Sequence, residues 1–162
     1  MLNIKIICLG HVKEKSTKDL IAEYEKRLSK YCKLDIIELQ DEKVPTSLSD
    51  IEIKNIKSAE SNKVIEKINK IGKSYIIALD LKGKEYSSEE LSEKINKIAT
   101  YDASTIIFLI GGTLGMSDEL LNLCDEKICF SKLTFPHQLI RIFLLEQLFR
   151  SFKIQNNETY HH

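Results

Sequence analysis

Short runs of apolar and β-branched residues alternate along this chain with segments whose apolar positions recur every three to four residues. Residues 2–9 predict a strand. Residues 17–31 predict an amphipathic helix with Leu20, Ile21, Tyr24, Leu28 and Tyr31 along one side. Residues 34–39 predict a second strand, and 41–49, with Pro45, a loop. Residues 49–71 read as a very polar helix whose apolar positions are Ile51, Ile56, Val64, Ile65 and Ile68. A third strand follows at 75–81 and a turn around Gly83 at 82–87. Ser87 and Glu90 have capping-box spacing and open a helix to about residue 100. The apolar run 105–110 predicts a central strand covered on both faces. A glycine loop follows at 111–116, then a short helix at 117–124, a short strand at 128–130 and a final helix at 136–152. Pro136 suits the first turn of that helix, with Thr134 as its candidate N-cap.

Strand and helix alternate throughout, which predicts an α/β fold with a mostly parallel sheet flanked by helices. No repeat or break in composition divides the chain, so residues 1–162 are expected to form one domain. With 43% hydrophobic and 30% charged residues, the composition is that of an ordinary globular protein.

The final helix departs from the ordinary pattern. Leu139, Ile140, Ile142, Phe143, Leu144, Leu145, Leu148, Phe149 and Phe152 cover far more than one stripe, so it is expected to be buried on several sides or to meet a second subunit. Its polar exceptions are Arg141, Glu146 and Arg150; Glu146 and Arg150 have the spacing of an ion pair on one face. His137, in the first turn, is either a polar helix-start residue or a catalytic one. Beyond the helix come Glu158, Tyr160, His161 and His162, a concentration of proton-handling groups where chains commonly fray.

Formal net charge is zero, which argues against indiscriminate attraction to nucleic acid. Two zones are nevertheless basic: residues 11–33 hold seven Lys/Arg against four Asp/Glu, and 130–155 hold four against one. That distribution fits a selective anionic partner, with solvated helix faces as the plainer reading. Cys8, Cys32, Cys124 and Cys129 form no CxxC pair and have no histidine at ligand spacing, so reduced cysteines and no metal are expected. The opening apolar run is too short for a secretory signal, and no segment is long enough to span a bilayer, which predicts no membrane association and a cytoplasmic location.

Two loops carry candidate chemistry. In IIFLIGGTLG, residues 106–115, an apolar strand runs into Gly111 and Gly112, and ligands bind where parallel strands end. The spacing is neither GxGxxG nor a Walker motif, so a dinucleotide or P-loop site is disfavoured and a plain tight turn stays open. In FSKLTF, residues 130–135, free backbone amides could line a pocket beside the glycine loop.

Taken together, GGTLG, FSKLTFPHQLIR, EQLFRSFKI and the terminal YH resemble the SPOUT methyltransferases, and within them the small ribosomal RNA large-subunit methyltransferase H family. GHVKEKSTKDLIAEYEKRLSKY, IIELQDEK and LDLKGKEYSSEELSEKI extend the resemblance over essentially the whole chain. It implies an α/β-knot fold with a C-terminal trefoil knot, which residue patterns alone never suggest. It further implies a homodimer that binds S-adenosyl-L-methionine in the knot and methylates N3 of a pseudouridine in 23S rRNA on the assembled ribosome. Cofactor contacts would fall on Leu79, Gly111, Phe130, Ser131, Lys132, Leu133, Thr134 and Phe135. Catalytic roles would fall on His161, Tyr160, Glu146, Arg150 and His137, with His161 first choice as base. Arg141, Arg150 and Lys132 would meet phosphates or the charge developing on the base. His162 stands where many members have Lys or Arg. A SPOUT enzyme acting on tRNA and a non-catalytic ribosome assembly factor are the alternatives.

Overall fold

A computed structural model describes residues 1–160. Five strands form one parallel sheet in the order β2-β1-β4-β3-β5, with β1 at Leu2–Leu9, β2 at Cys32–Leu39, β3 at Tyr75–Glu85, β4 at Thr105–Ile110 and β5 at Glu126–Cys129. The helices are α1 (Lys15–Leu28), α2 (Asp50–Ile71), α3 (Ser88–Lys97), α4 (Asp118–Leu123) and α5 (His137–Gln155). The expected α/β class with a largely parallel sheet is therefore what forms.

Alternation along the two central strands builds two cores. Ile4, Ile6 and Cys8 of β1 and Ile106, Phe108 and Ile110 of β4 pack with Leu28, Ile95, Leu144, Leu145 and Leu148 from α1, α3 and α5. Ile7, Leu9, Ile107 and Leu109 point the other way, against Val64 and Ile68 of α2 and Leu120 of α4. Both faces of β4 and of the second half of β1 are thus buried, which is why residues 106–110 and 6–9 are continuous apolar runs rather than alternating ones.

Several boundaries differ from the sequence expectation. α1 stops at Leu28, where Tyr31 N–H bonds back to the Leu28 carbonyl, and Cys32 already begins β2. Leu20 and Ile51, both expected to be covered, are 43% and 73% exposed. β3 runs on to Glu85: the expected turn is an irregularity at residues 80–83, after which Lys84 and Glu85 pair with Ile128 and Cys129. Gly83 makes this possible, because a Cβ there would lie 2.6 Å from the Ile128 carbonyl carbon. α3 continues into a π-helical turn, Ile98–Asp102. Pro136 occupies the N-cap position of α5, and Thr134 does not cap it. Ser49 and Ser87 both head complete capping boxes, at α2 and α3.

α5 is covered on most sides. Leu144, Leu145 and Leu148 are fully buried, while Leu139 and Phe143 are 43% and 39% exposed. Among the described residues, no helix is long and apolar enough to cross a membrane.

Candidate active site

The carboxyl ends of β3, β4 and β5 open into a cavity of about 450 Å³, a size typical of small-molecule sites. Leu79, Ile110, Phe130, Leu133 and Ile140 give it apolar walls, and Lys57, Asp80 and Asp118 supply charge among its lining groups. The glycine loop forms one side. Gly115 sits at φ +85° and its N–H bonds to the Gly112 carbonyl at 3.0 Å, closing a tight turn that a side chain at 115 would strain.

Helix α2 fixes that turn from behind. A Cβ on Gly112 would lie 2.7 Å from Glu60 Oε1, so a side chain there would have to displace this carboxyl. Glu60 is 3% exposed; its Oε2 accepts the Glu42 N–H at 2.9 Å, and burial raises its pKa. One residue on, Ser61 Oγ accepts the Ser117 N–H at 2.9 Å. Sequence reasoning missed both: Glu60 and Ser61 lie in a helix whose polar residues look alike, and nothing local marks two of them as buried.

Of the residues expected to hold a cofactor, Leu79, Gly111, Phe130, Ser131, Leu133 and Phe135 all line the cavity. Lys132 and Thr134, between them, are exposed and do not. Ser131 Oγ accepts the Leu133 N–H at 3.0 Å, which curls the segment, and Phe135 packs edge-on against Phe143 with ring centroids 5.4 Å apart.

His137 also lines the cavity. Burial, reinforced by the nearby Arg141 guanidinium, holds its pKa below the usual histidine range, so the ring is neutral at neutral pH. Arg141 corrects an expectation. Instead of reaching for phosphate it is 3% exposed, with Nη1 2.6 Å from Glu38 Oε2 and Nη2 donating to the Gly10 carbonyl at 2.8 Å. Glu38 Oε2 also accepts the Val12 N–H at 2.9 Å. These bonds tie the first turns of α5, and with them the loop before it, to the ends of β1 and β2.

A second constellation lies farther along α5. Arg150 Nη2 is 2.7 Å from Glu146 Oε1, the expected pair. Tyr160 folds back so that its hydroxyl donates to Glu146 Oε1 at 3.2 Å, its ring meets Phe149 edge-on at 5.0 Å, and the Arg150 guanidinium sits 4.9 Å from its centroid. Burial, then the Glu146 charge, raises the Tyr160 pKa, so the phenol keeps its proton. Lys153 Nζ and Tyr31 Oη hold Glu158 at 2.6 and 2.9 Å, pinning the turn that leads there. His161 lies outside the described residues. Neither Glu146, Arg150 nor Tyr160 lines the cavity that holds His137; His137 and Glu146 stand nine positions apart on the helix, or about 14 Å at 1.5 Å per residue.

Burial pushes Cys8, Cys32 and Cys124 up to about 11, 12 and 11, so these thiols stay protonated and unreactive. Among the described residues, no group of three His, Cys, Asp or Glu side chains could hold a metal ion.

A parallel sheet whose strand ends carry a glycine turn and a curled segment under a final helix defines a class, and residues 2–161 match the family described as "Predicted SPOUT methyltransferase". The chain is 51% identical over 160 residues to "Ribosomal RNA large subunit methyltransferase H" of Clostridium acetobutylicum, and 49% identical to the protein of the same name from Bacillus pumilus. In each case 99% of both chains is covered. It belongs to the ribosomal RNA large subunit methyltransferase H family of SPOUT methyltransferases. The fold is also that of a probable methylase family protein from Haemophilus influenzae, with a TM-score of 0.56 at 15% identity, covering 99% of this chain and 70% of the other.

Proposed function

We propose that this chain methylates N3 of a pseudouridine in 23S rRNA, using S-adenosylmethionine, on assembled ribosomes in the cytoplasm. The observation that carries the reading is the cavity at the strand ends, where Leu79, Gly111 and the segment from Phe130 to Phe135 converge from three separate elements. Its apolar walls suit an adenine ring between Leu79, Ile110 and Leu133, and the curled backbone at residues 131–133 leaves polar groups for the ribose. When bound, S-adenosylmethionine supplies a methyl on a sulfonium, so that one N–C bond forms as one S–C bond breaks and a neutral thioether leaves.

The work left to the chain is alignment and proton removal. N3–H is weakly acidic and needs a positioned acceptor. Glu146 and His161 fill that role, with Arg150 placed to stabilise the negative charge that spreads onto the base carbonyls. Tyr160 keeps its proton and serves as a donor or a stacking surface rather than as a base.

The separation along α5 bears on assembly. His137 and Glu146 sit about 14 Å apart along one helix, so the tail beyond α5 starts well away from its own subunit's cofactor cavity. Two copies packed through the exposed Leu139 and Phe143 would let one subunit's tail complete the other's cavity. The reading therefore includes a homodimer of single-domain subunits, residues 1–162, each with the trefoil knot of its family.

The test is mass mapping of 23S rRNA after ribosomes are incubated with the protein and labelled cofactor. One methyl on a pseudouridine is expected. Methylation of tRNA instead, or no transfer to any RNA, would overturn the reading.

A further inference from the structure

A second cavity, of about 380 Å³, opens between the start of α3, the end of β5 and the middle of α5. It shares Phe130, Ser131 and Phe135 with the cavity at the strand ends, so the two flank one short segment. Tyr86, Phe130 and Phe143 give it aromatic walls, and its polar side chains include Ser88, Glu146 and Gln147. Those three groups are already ordered as a chain. Ser88 Oγ donates to Gln147 Oε1 at 2.8 Å, and Gln147 Nε2 donates to Glu146 Oε2 at 2.9 Å. Glu146 is held in turn by Arg150 and Tyr160.

Aromatic walls with a few fixed polar groups suit one flat heteroaromatic ring. The polar groups narrow which ring. A carboxylate only accepts, so Glu146 requires an N–H donor on the edge of the ring. Adenine and cytosine offer only exocyclic amines on their pairing edge, and the guanine ring N–H is flanked by one carbonyl and one amine; uracil-type rings present a ring N–H flanked by two carbonyls, one of which the Gln147 amide can meet. A ring attached through carbon, as in pseudouridine, keeps a further N–H that uridine spends on its glycosidic bond. The carbonyl end of Gln147, steadied by Ser88, is an acceptor of fixed direction for that extra donor.

We propose that this second cavity receives the acceptor base and that Gln147, oriented by Ser88, reads the extra ring N–H that distinguishes pseudouridine from uridine. The inference rests on the function proposed above and assigns its substrate specificity to two residues outside the cofactor cavity. A buried hydrogen bond of this kind is worth roughly 10- to 100-fold in kcat/KM between the two bases.

The experiment compares ribosomes carrying pseudouridine at the target with ribosomes carrying uridine there. Initial rates with labelled cofactor are measured for the wild type, Gln147→Leu and Ser88→Ala, with cofactor affinity by calorimetry and melting by circular dichroism. The wild type should prefer pseudouridine, and both variants should bring the ratio toward one while cofactor affinity and melting hold. Ser88→Ala guards against a folding defect, since it removes one half-buried hydroxyl and adds no bulk. Methylation with the preference intact in both variants, or a wild type without preference, overturns the assignment and leaves the methyltransferase reading standing. No methylation of either ribosome by the wild type overturns that reading itself.

Discussion

Arg141 and Arg150 stand nine residues apart on one helix and have opposite fates. Arg141 is buried to 3% exposure and spends its guanidinium on Glu38 and the Gly10 carbonyl. Arg150 keeps a quarter of its side chain in solvent, pairs with Glu146 one turn away and covers the Tyr160 ring. Residue type alone suggests two phosphate ligands; burial and partners make one an anchor and the other a member of the cluster with Glu146 and Tyr160. The lesson is that an arginine in a basic stretch is informative only once its partners are known.

The contrast breaks most readily at Arg141. Arg141→Met should cost about 3 kcal/mol, the low end for breaking a buried pair, because Glu38 can partly rehydrate. At this size that is a fall of roughly 6–12 °C in Tm, checked by thermal melting. A variant that melts with the wild type would show that the anchor stabilises nothing. Glu146→Gln should do the reverse: turnover on ribosomes falls about 10²-fold, the scale of a lost base or its partner, with cofactor affinity kept. Equal loss of cofactor binding would merge the two ends of α5 into one site.

Acidification sharpens the same contrast. The His137 pKa is lowered in the folded state, so the unfolded chain binds the proton more tightly. Stability contributed by this group is complete above the ordinary histidine value of about 6.5 and is lost as pH falls below it. His137→Gln should flatten that part of a Tm–pH profile, while Arg150→Gln leaves it unchanged. The smallest effect belongs to Glu60. Its pKa is raised, so its charged form weakens the fold as pH climbs above the ordinary carboxyl range. Glu60→Gln keeps a carbonyl for the Glu42 N–H and should raise Tm by a degree or so at neutral pH, on the scale of well under 1 kcal/mol. A drop would mean the charge itself is needed behind the glycine turn.

Much of this was legible in the residues. The unbroken apolar run at β4 announced a central parallel strand, and the overly apolar α5 announced a helix covered on several sides. The glycine turn and the segment after β5 were legible as loops worth placing side by side at the strand ends, and they do line one cavity. What stayed hidden depends on long-range packing. The extension of β3 past its irregularity required knowing that Ile128 would lie against Gly83. Arg141 looked available because its partner, Glu38, is 103 residues away. Glu60 gave no local signal at all, for burial of a carboxyl in mid-helix is decided by what lies across from it.

The order of the strands has a consequence for how the molecule is made. β1, synthesised first, lies between β2 and a strand that begins about a hundred residues later, with Asn3 beside Thr105. During translation the apolar surface of β1 that β4 will cover must wait until most of the polypeptide has emerged. Nascent chains are therefore exposed to mispairing and to chaperones for most of their synthesis, and slowing elongation before β4 should lower the soluble yield more than slowing it afterwards.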